Sequence, residues 1–471
     1  MRVLMVAWLV LLCFGIGGGR AEAHAGPADP EQEQVAFDSD GVTLHGAVYR
    51  PTGDGPHPGI VLIGGSGPGP RAEYQPEALA FARAGISTLV VDKRTVGYST
   101  SHRDFSVLAD DALAGVRLLR ARPDVDAQRV GLWGFSEGGW VATLAASRSA
   151  TVGFVVTIGG SGLTPLRTQT WYLSNLLRHN GISSHLEEAV GGPGAAVVDG
   201  LGAFPEADFD PVRALRQVRV PVLALWGDHD VKVPSGESAA IFQRELASAG
   251  NHSVTTRFVP NAGHNGHRTT DGFDSIGGEL FEGRPLGELD PGYTDVMTNW
   301  IHAVAADQAP PTSAAAPPQQ PASRTPGTHP ALEYAAPAAL LLGFAAYPLS
   351  ALGRIMLRRR PSEAGHGPRR SARAVSAIGL LATLGAVSYV VGILAVGGKL
   401  PPTAFAVGQP LPWLLLHALA LALPATAAIL ALSAWRARAQ MPAPLRRQTL
   451  VLLATAMAFV PWALHWQLFS R

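Results

Sequence analysis

The feature that most constrains the fold is a short apolar run that ends at a serine between two glycines. Residues 129–133 are followed by Gly134, Ser136 and Gly138, so a glycine stands two positions before and two positions after the serine. This spacing is typical of a buried strand that turns sharply into a helix, because glycines let the two elements approach closely. The sequence therefore predicts a strand–turn–helix unit that presents the Ser136 hydroxyl at the edge of a sheet.

Strand and helix patterns alternate through most of residues 26–306. Continuous apolar runs at 59–63, 154–158 and 221–226 are typical of strands buried on both faces, and amphipathic helices are predicted between them. Strands that alternate with helices form mainly parallel sheets covered on both faces. We therefore predict an α/β fold with a doubly wound, mostly parallel sheet in this part of the chain.

Residues 163–215 interrupt the alternation between two predicted sheet strands, and they carry several large apolar side chains such as Trp171 and Leu173. One interpretation is a lid insertion over the mouth of a site at the sheet edge. The other is a helical excursion packed on the sheet. The sequence leaves both interpretations open.

The last third of the chain has a different character. Residues 307–330 are rich in Pro and Ala and have no periodicity, which predicts an extended linker. A polyproline-like segment of that length could reach roughly 70 Å. The region 331–471 then contains four apolar stretches, each long enough to cross a bilayer, which predict an all-α transmembrane region of four helices. They lie near 336–356, 374–396, 411–434 and 449–468.

Charge is distributed unevenly along the chain. Thirteen Lys and Arg against two Asp and Glu give residues 331–471 a charge of +11, which leaves −10 for the first 330 residues of a chain with net charge +1. An acidic front part argues against a nucleic-acid partner. The arginines cluster between the first and second spans and between the third and fourth, and the positive-inside rule assigns both loops to the cytoplasm.

The amino terminus has the pattern of a secretory signal peptide, predicted over residues 1–25. Arg2 precedes an apolar core, and Ala23-His24-Ala25 is a small-x-small cleavage sequence. An uncleaved anchor helix is the alternative. With a cleaved signal or an uncleaved anchor, the amino-terminal segment and the charges of the loops between the spans give the same prediction. The chain is predicted to be a multi-pass protein of the cell membrane whose domain 26–306 is extracytoplasmic. The single cysteine, Cys13, lies in the signal, so a cleaved chain has no thiol for catalysis or disulfides.

Two loops after later predicted strands supply an acid and a base. Asp230 is favoured over Asp228 as the acid, and His264 is favoured over His267 as the base. The order Ser, Asp, His along the chain is one of the known orders for a catalytic triad. In these roles Ser136 attacks an acyl carbonyl, His264 takes up its proton, and Asp230 orients the imidazole.

A metal site at the His264-x-x-His267 pair is the competing interpretation, but it leaves Ser136 without a role. The glycine-rich segment 64–69, after the first buried strand, has a simpler explanation. Glycines there free backbone N–H groups to converge on a developing oxyanion. We predict an oxyanion hole formed by the N–H of Gly65 or Ser66 together with that of Glu137. A phosphate-binding loop is disfavoured because no Lys-Ser/Thr pair follows it.

Together these segments resemble the α/β-hydrolase superfamily, in the branch of dienelactone-hydrolase-like and prolyl-oligopeptidase-like enzymes. The matching segments are 64–68, 92–99, 134–138, 227–230 and 263–264. The resemblance covers about residues 35–306 and implies hydrolysis of esters, thioesters or amides with no cofactor and no metal. It also implies that the segment Asp92-Lys93-Arg94 shapes the site, although Arg94 as a structural ion-pair partner is an equal alternative.

The first functional hypothesis is a membrane-tethered serine hydrolase, most simply a carboxylic-ester hydrolase. A peptidase of the prolyl-oligopeptidase-like type is the nearest alternative. A different hypothesis is a non-catalytic receptor or scaffold with a hydrolase-like domain. A third hypothesis makes the four spans a lipid-handling core, to which the hydrolase supplies apolar products. The partners indicated are a small acyl ester or peptide and the lipid bilayer, and the sequence leaves protein partners open.

Overall fold

The computed structural model describes residues 30–99, 101–182, 184–278, 280–281, 284–285, 287–357, 366–398 and 404–469. The predicted signal peptide, residues 1–25, lies outside the described residues together with Cys13. Lys399 and the arginines at 358–360 also lie outside them.

The front part of the chain is built around a central sheet. The strands up to residue 314 are β1 (Glu31–Ser39), β2 (Val42–Arg50), β3 (His57–Ile63), β4 (Ser87–Val91), β5 (Val125–Phe135), β6 (Val155–Ile158), β7 (Val222–Gly227), β8 (Val254–Val259), β9 (Leu280–Phe281), β10 (Arg284–Pro285) and β11 (Ser313–Ala314). The central sheet has the order β1-β2-β4-β3-β5-β6-β7-β8-β11, and β9 pairs with β10. Only β1–β2 and β2–β4 are antiparallel in the central sheet, so the prediction of a mostly parallel sheet is confirmed.

Helices cover both faces of this sheet and complete the sheet domain. They are α1 (Gln75–Arg83), α2 (Phe105–Arg120), α3 (Glu137–Arg148), α4 (Pro165–His179), α5 (Ser184–Ala189), α6 (Ala195–Gly200), α7 (Pro211–Leu215), α8 (Ser235–Ser248) and α9 (Pro291–Ala305). An apolar core lies on each face of the sheet. One core includes Trp226 and Phe242, and the other core includes Trp133 and Tyr293. The continuous apolar runs of the sequence are therefore strands buried from two sides.

Local sequence signals set several element ends. Asp40 and Gly41 both have positive φ, 50° and 76°, which suits the tight turn between β1 and β2. Asp104 caps α2 by accepting from the Ser106 N–H, and Asp290 caps α9 by accepting from the Gly292 N–H. Such caps satisfy N–H groups that a helix cannot pair internally.

All four predicted apolar stretches are helical, and each helix is long and apolar enough to cross a membrane. This helical bundle consists of α10 (Ala336–Met356), α11 (His366–Ala395), α12 (Leu411–Arg436) and α13 (Ala443–His465), and the hairpin strands β12 (Phe405–Ala406) and β13 (Gln409–Pro410) precede α12. Its outer surface exposes side chains such as Leu342, Leu415 and Met457. A helix that is apolar on all sides suits a lipid environment.

The insertion at residues 163–215, which we call the cap, connects the sheet domain with the bundle. Leu173 and Leu177 of α4 are buried in one apolar cluster with bundle residues that include Val390 and Trp413. The Tyr334 hydroxyl, just before α10, donates to the Ala196 carbonyl oxygen at 2.7 Å. The cap thus packs on the bundle, a contact that neither sequence interpretation included.

The Pro/Ala-rich linker is extended but not an open spacer. Ser313 and Ala314 pair in parallel with β8, which places them at the edge of the central sheet. Farther along, the Trp171 Nε1–H donates to the Pro321 carbonyl oxygen at 2.9 Å, and Arg167 Nε donates to Ser323 Oγ at 2.8 Å. We call residues 313–323 the strap, because they contact both the sheet domain and the cap.

Candidate active site

Ser136 occupies the turn between β5 and α3 in a strained conformation, with φ 53° and ψ −113°. A positive φ is uncommon for a residue with a side chain and is often found at functional sites. A Cβ at Gly134 would lie 2.1 Å from the Gly138 carbonyl oxygen, and one at Gly138 would lie 2.2 Å from the Ile63 carbonyl oxygen. Both flanking glycines are therefore required by close backbone approach, which is the physical basis of the sequence pattern.

Ser136 and His264 line one cavity of about 350 Å³ at the carboxyl ends of the parallel strands. The His264 ring packs against Phe135, with 5.1 Å between ring centroids. Ser136 Oγ makes no hydrogen bond to the imidazole in the described part of the chain. Such contacts often shorten only when substrate is bound, so Ser136 and His264 remain the candidate nucleophile and base by location.

His264 is held by Asp230, through 2.9 Å between Nδ1 and Oδ2. Asp230 is 1% exposed, and its second oxygen accepts the backbone N–H groups of Lys232 and Val233 at 2.8 and 2.9 Å. These bonds fix the carboxylate and leave His264 Nε2 as the ring nitrogen that is not engaged by Asp230. That is the nitrogen a general base would use toward Ser136.

The two alternative residues, Asp228 and His267, are not part of the Asp230–His264 hydrogen bond. Asp228 Oδ1 is buried without a hydrogen-bond partner in the described chain, and the His264 imidazole is hydrogen-bonded to Asp230 instead. His267 faces Glu77 of α1, with 3.4 Å between Nε2 and Oε1. Within the described residues no group of three or more His, Cys, Asp or Glu is arranged to hold a metal ion.

The glycine-rich segment after β3 lies beside the serine, since a Cβ at Gly65 would be 3.5 Å from Ser136 Cβ. The Gly65 N–H donates to the Tyr74 hydroxyl at 2.9 Å, so it already has an acceptor. The Ser66 N–H donates to no acceptor among the described residues. Glu137 is the first residue of α3, where backbone N–H groups lack an intrahelical acceptor. The backbone N–H groups of Ser66 and Glu137 therefore remain the predicted oxyanion donors.

The side chain of Glu137 is the centre of a buried polar network that sequence analysis missed. Its carboxylate accepts from Lys93 Nζ at 2.9 Å, from Arg103 Nη1 at 2.8 Å and from the Tyr98 hydroxyl at 2.8 Å. Lys93 also donates to the Gly65 carbonyl oxygen, which ties the glycine-rich loop to α3. Burial lowers the pKa of the Lys93 ammonium, and Glu137 acts in the opposite direction.

Arg94 does not take part in this network. Its guanidinium forms two hydrogen bonds with the carboxylate of Asp111 on α2, one of them 2.6 Å from Nε to Oδ2. Of the two alternatives left open by the sequence, the structural ion pair is the one observed. The neighbouring Lys93 is the residue of this segment that reaches the site.

The cap and the bundle supply the outer wall of the cavity. Thr168, Gln169 and Tyr172 of α4 line it together with Phe204 of the cap and Gly397 at the end of α11. The position of the cap fits the lid interpretation, with the bundle as an additional wall. The cavity is therefore bounded by three parts of the chain: the sheet domain, the cap and the bundle.

The strap contacts the loop that carries Asp230 directly. Gln320 Nε2 donates to the Asp230 carbonyl oxygen at 2.8 Å, and its Oε1 accepts from Ser235 Oγ at 3.1 Å. The segment therefore supports the backbone that carries Asp230. No sequence periodicity indicates this role, because the partners come from distant elements.

Two family models match the sheet domain. The model described as the prolyl oligopeptidase family matches residues 101–276, and the model described as esterase FrsA-like matches residues 30–169. The bundle lies outside both matches.

Individual curated proteins are similar to part of this chain. Esterase EstD of Thermotoga maritima is 28% identical over 255 residues, which are 48% of this chain and 59% of that protein. Thiohydrolase apmlB of Arthrinium phaeospermum is 34% identical over 131 residues, 27% of this chain and 42% of that protein. The chain thus spans only about half the length of these relatives. The solved structure of 2,6-dihydroxy-pseudo-oxynicotine hydrolase aligns with a TM-score of 0.41 and 19% identity, over 60% of this chain and 71% of that one.

Proposed function

We propose that this chain, which belongs to the α/β-hydrolase superfamily, is a serine hydrolase that cleaves carboxylic esters. One observation carries the proposal: a serine on a strained strand–helix turn shares a cavity with a histidine that is hydrogen-bonded to a buried aspartate. The names of the relatives support an ester or thioester substrate, since one is an esterase and the other a thiohydrolase.

In the proposed mechanism Ser136 Oγ attacks the acyl carbon while His264 Nε2 takes up its proton. The Ser66 and Glu137 backbone N–H groups bind the oxyanion of the tetrahedral intermediate. His264 then returns the proton to the leaving alcohol, and an acyl-enzyme remains on Ser136. Water, deprotonated by His264, releases the acid, and Asp230 stabilises the imidazolium in both halves of the reaction.

The proposal is tested with a matched pair of chromogenic substrates, 4-nitrophenyl butyrate and 4-nitrobutyranilide. They share the acyl group and the nitrophenyl ring and differ in the leaving heteroatom. For the full chain in detergent or nanodiscs we expect release of nitrophenolate but little of nitroaniline, and covalent labelling by a fluorophosphonate probe.

Each alternative function predicts a different result. Comparable cleavage of the anilide would favour the peptidase alternative, which the match to the prolyl oligopeptidase family supports. Binding of esters with neither turnover nor labelling would favour a receptor or scaffold and would contradict the proposed chemistry.

We further propose that the four helices cross the cell membrane and hold the sheet domain on the extracytoplasmic side. The cap contacts the bundle near the start of α10 and the end of α11, where Tyr334 and Val390 lie. Arg354 lies in the last turn of α10, at the opposite end of that helix, and Arg438 lies two residues after the end of α12. Positively charged loops are retained in the cytoplasm, so this separation supports the orientation.

Single cysteines test this orientation in a Cys13→Ala background, which removes the only native thiol. Asp54→Cys in the sheet domain and Gln440→Cys between α12 and α13 both replace exposed residues. A membrane-impermeant maleimide is expected to label the first in intact cells or spheroplasts, and the second only after lysis. The reverse pattern would contradict the proposed sidedness.

A further inference from the structure

Lys232 is a cationic side chain in the wall of the cavity that holds Ser136. Its ammonium lies 5.9 Å from the centroid of the Tyr172 ring on the cap, an arrangement that favours the charged form. In the described part of the chain, no carboxylate lies within ion-pair distance of this ammonium. The pKa of Lys232 lies below its ordinary value because surrounding protein desolvates the charge, and Asp230 partly opposes that effect.

The other two cations near the serine already have partners. Lys93 and Arg103 both bind the Glu137 carboxylate, and each also donates to a backbone carbonyl oxygen. The Asp230 carboxylate is likewise occupied by His264 and by two backbone N–H groups. Lys232 is therefore the cation of the cavity that is available to a substrate.

The position of Lys232 relative to the triad is fixed by its own backbone. Its N–H donates to Asp230 at 2.8 Å, so the side chain starts beside the catalytic acid. The ammonium lies on the side of the cavity formed by α4, as its contact with Tyr172 demonstrates. A substrate group bound there would lie between the cap and the catalytic histidine.

We propose that Lys232 binds an anionic group of the substrate, so that the esters cleaved at Ser136 carry a carboxylate or a phosphate on the acyl or alcohol part. The proposal rests on the proposed ester hydrolysis and specifies its substrate class. An anion at this place would form a charge-assisted hydrogen bond in a partly desolvated environment, where such bonds are strong.

The test compares mono-4-nitrophenyl glutarate with its neutral methyl ester, methyl 4-nitrophenyl glutarate. Both release nitrophenolate from the same acyl group, and they differ by one negative charge. We expect the full-length wild type to prefer the anionic ester. In Lys232→Met the KM for that ester should rise about 10- to 100-fold, which is the range for a hydrogen bond to a charged group. The kinetic constants for the neutral ester should change little.

Two further variants separate direct binding from general charge effects. Lys232→Arg should retain the preference for the anionic ester, because the cation is kept. Arg213→Met removes an 86% exposed cation outside the cavity and should leave the preference unchanged. Because the neutral ester reports on the active site itself, its normal turnover in Lys232→Met excludes misfolding as the cause.

The outcomes distinguish this proposal from the proposed function. If Lys232→Met changes KM for both esters equally, or leaves the preference as in the wild type, the anion site is wrong. If nitrophenolate release persists in Ser136→Ala, the serine-hydrolase proposal itself fails, whatever the effect of Lys232. If Lys232→Met loses the preference for the anionic ester and Ser136→Ala loses nitrophenolate release, both the anion site and the serine-hydrolase proposal are supported.

Discussion

The Ser136→Ala variant is expected to lose about 10⁶-fold in kcat for ester hydrolysis, the loss typical of removing the nucleophile of a serine hydrolase. Alanine keeps the Cβ but has no oxygen to form the acyl-enzyme, and the oxyanion donors alone supply only weak catalysis. The measurement is the rate of nitrophenolate release, together with fluorophosphonate labelling followed by mass spectrometry of the labelled peptide.

Ser66→Ala is the matched control for this prediction. Ser66 lines the same cavity as Ser136. Its hydroxyl, on the glycine-rich loop, is the alternative nucleophile. Its proposed contribution is a backbone N–H, which alanine retains, so activity should stay within about tenfold of the wild type. Loss of labelling in Ser66→Ala but not in Ser136→Ala would move the nucleophile to the glycine-rich loop and contradict the proposed triad.

The strand–turn–helix unit at Ser136 could be predicted because its requirements are local. Gly134 and Gly138 lie within a few residues of the serine, and the contacts that exclude a side chain there are made by the turn itself and by the adjacent strand β3. The mostly parallel sheet and the four apolar helices were predictable for a similar reason, since burial on all sides leaves continuous apolar runs.

The contacts between distant segments could not be predicted. The strap residue Gln320 binds the Asp230 loop, and Tyr334 binds the cap, but neither pair has a periodic pattern. The sequence of a Pro/Ala-rich segment is the same in character whether its carbonyl groups bind water or a donor such as the Trp171 indole N–H. Composition predicted that the segment is extended, and only the fold determines what it touches.

Several polar residues of the site illustrate the same limit. The sequence assigned Glu137 a role through its backbone N–H, whereas its carboxylate also organises Lys93 and Arg103. Tyr74 could not be linked to Gly65, because the two residues approach each other only in the folded chain. In each case the residue type was visible, but the partner depended on tertiary packing.

Asp230→Asn is expected to lower kcat by about 10⁴-fold, as when the aspartate of a serine protease triad becomes an asparagine. The amide can still accept the Lys232 and Val233 N–H groups, so the loop should keep its shape. However, an amide NH₂ facing His264 Nδ1 would require that nitrogen to act as an acceptor. The proton would then move to Nε2, and the imidazole could no longer accept the proton of Ser136.

Asp228→Asn is the matched control, because it makes the same chemical change two residues earlier in the same loop. Asp228 is not the hydrogen-bond partner of His264, and its Oδ1 lies 3.8 Å from His229 Nε2, so the proposed mechanism gives its carboxylate no role. We expect this variant to retain close to the wild-type kcat, measured with 4-nitrophenyl butyrate at the same pH. A large loss in Asp228→Asn with near-normal turnover in Asp230→Asn would reverse the assignment of the acid. It would mean that the loop rearranges when substrate binds, since the ground-state hydrogen bond of His264 is made to Asp230.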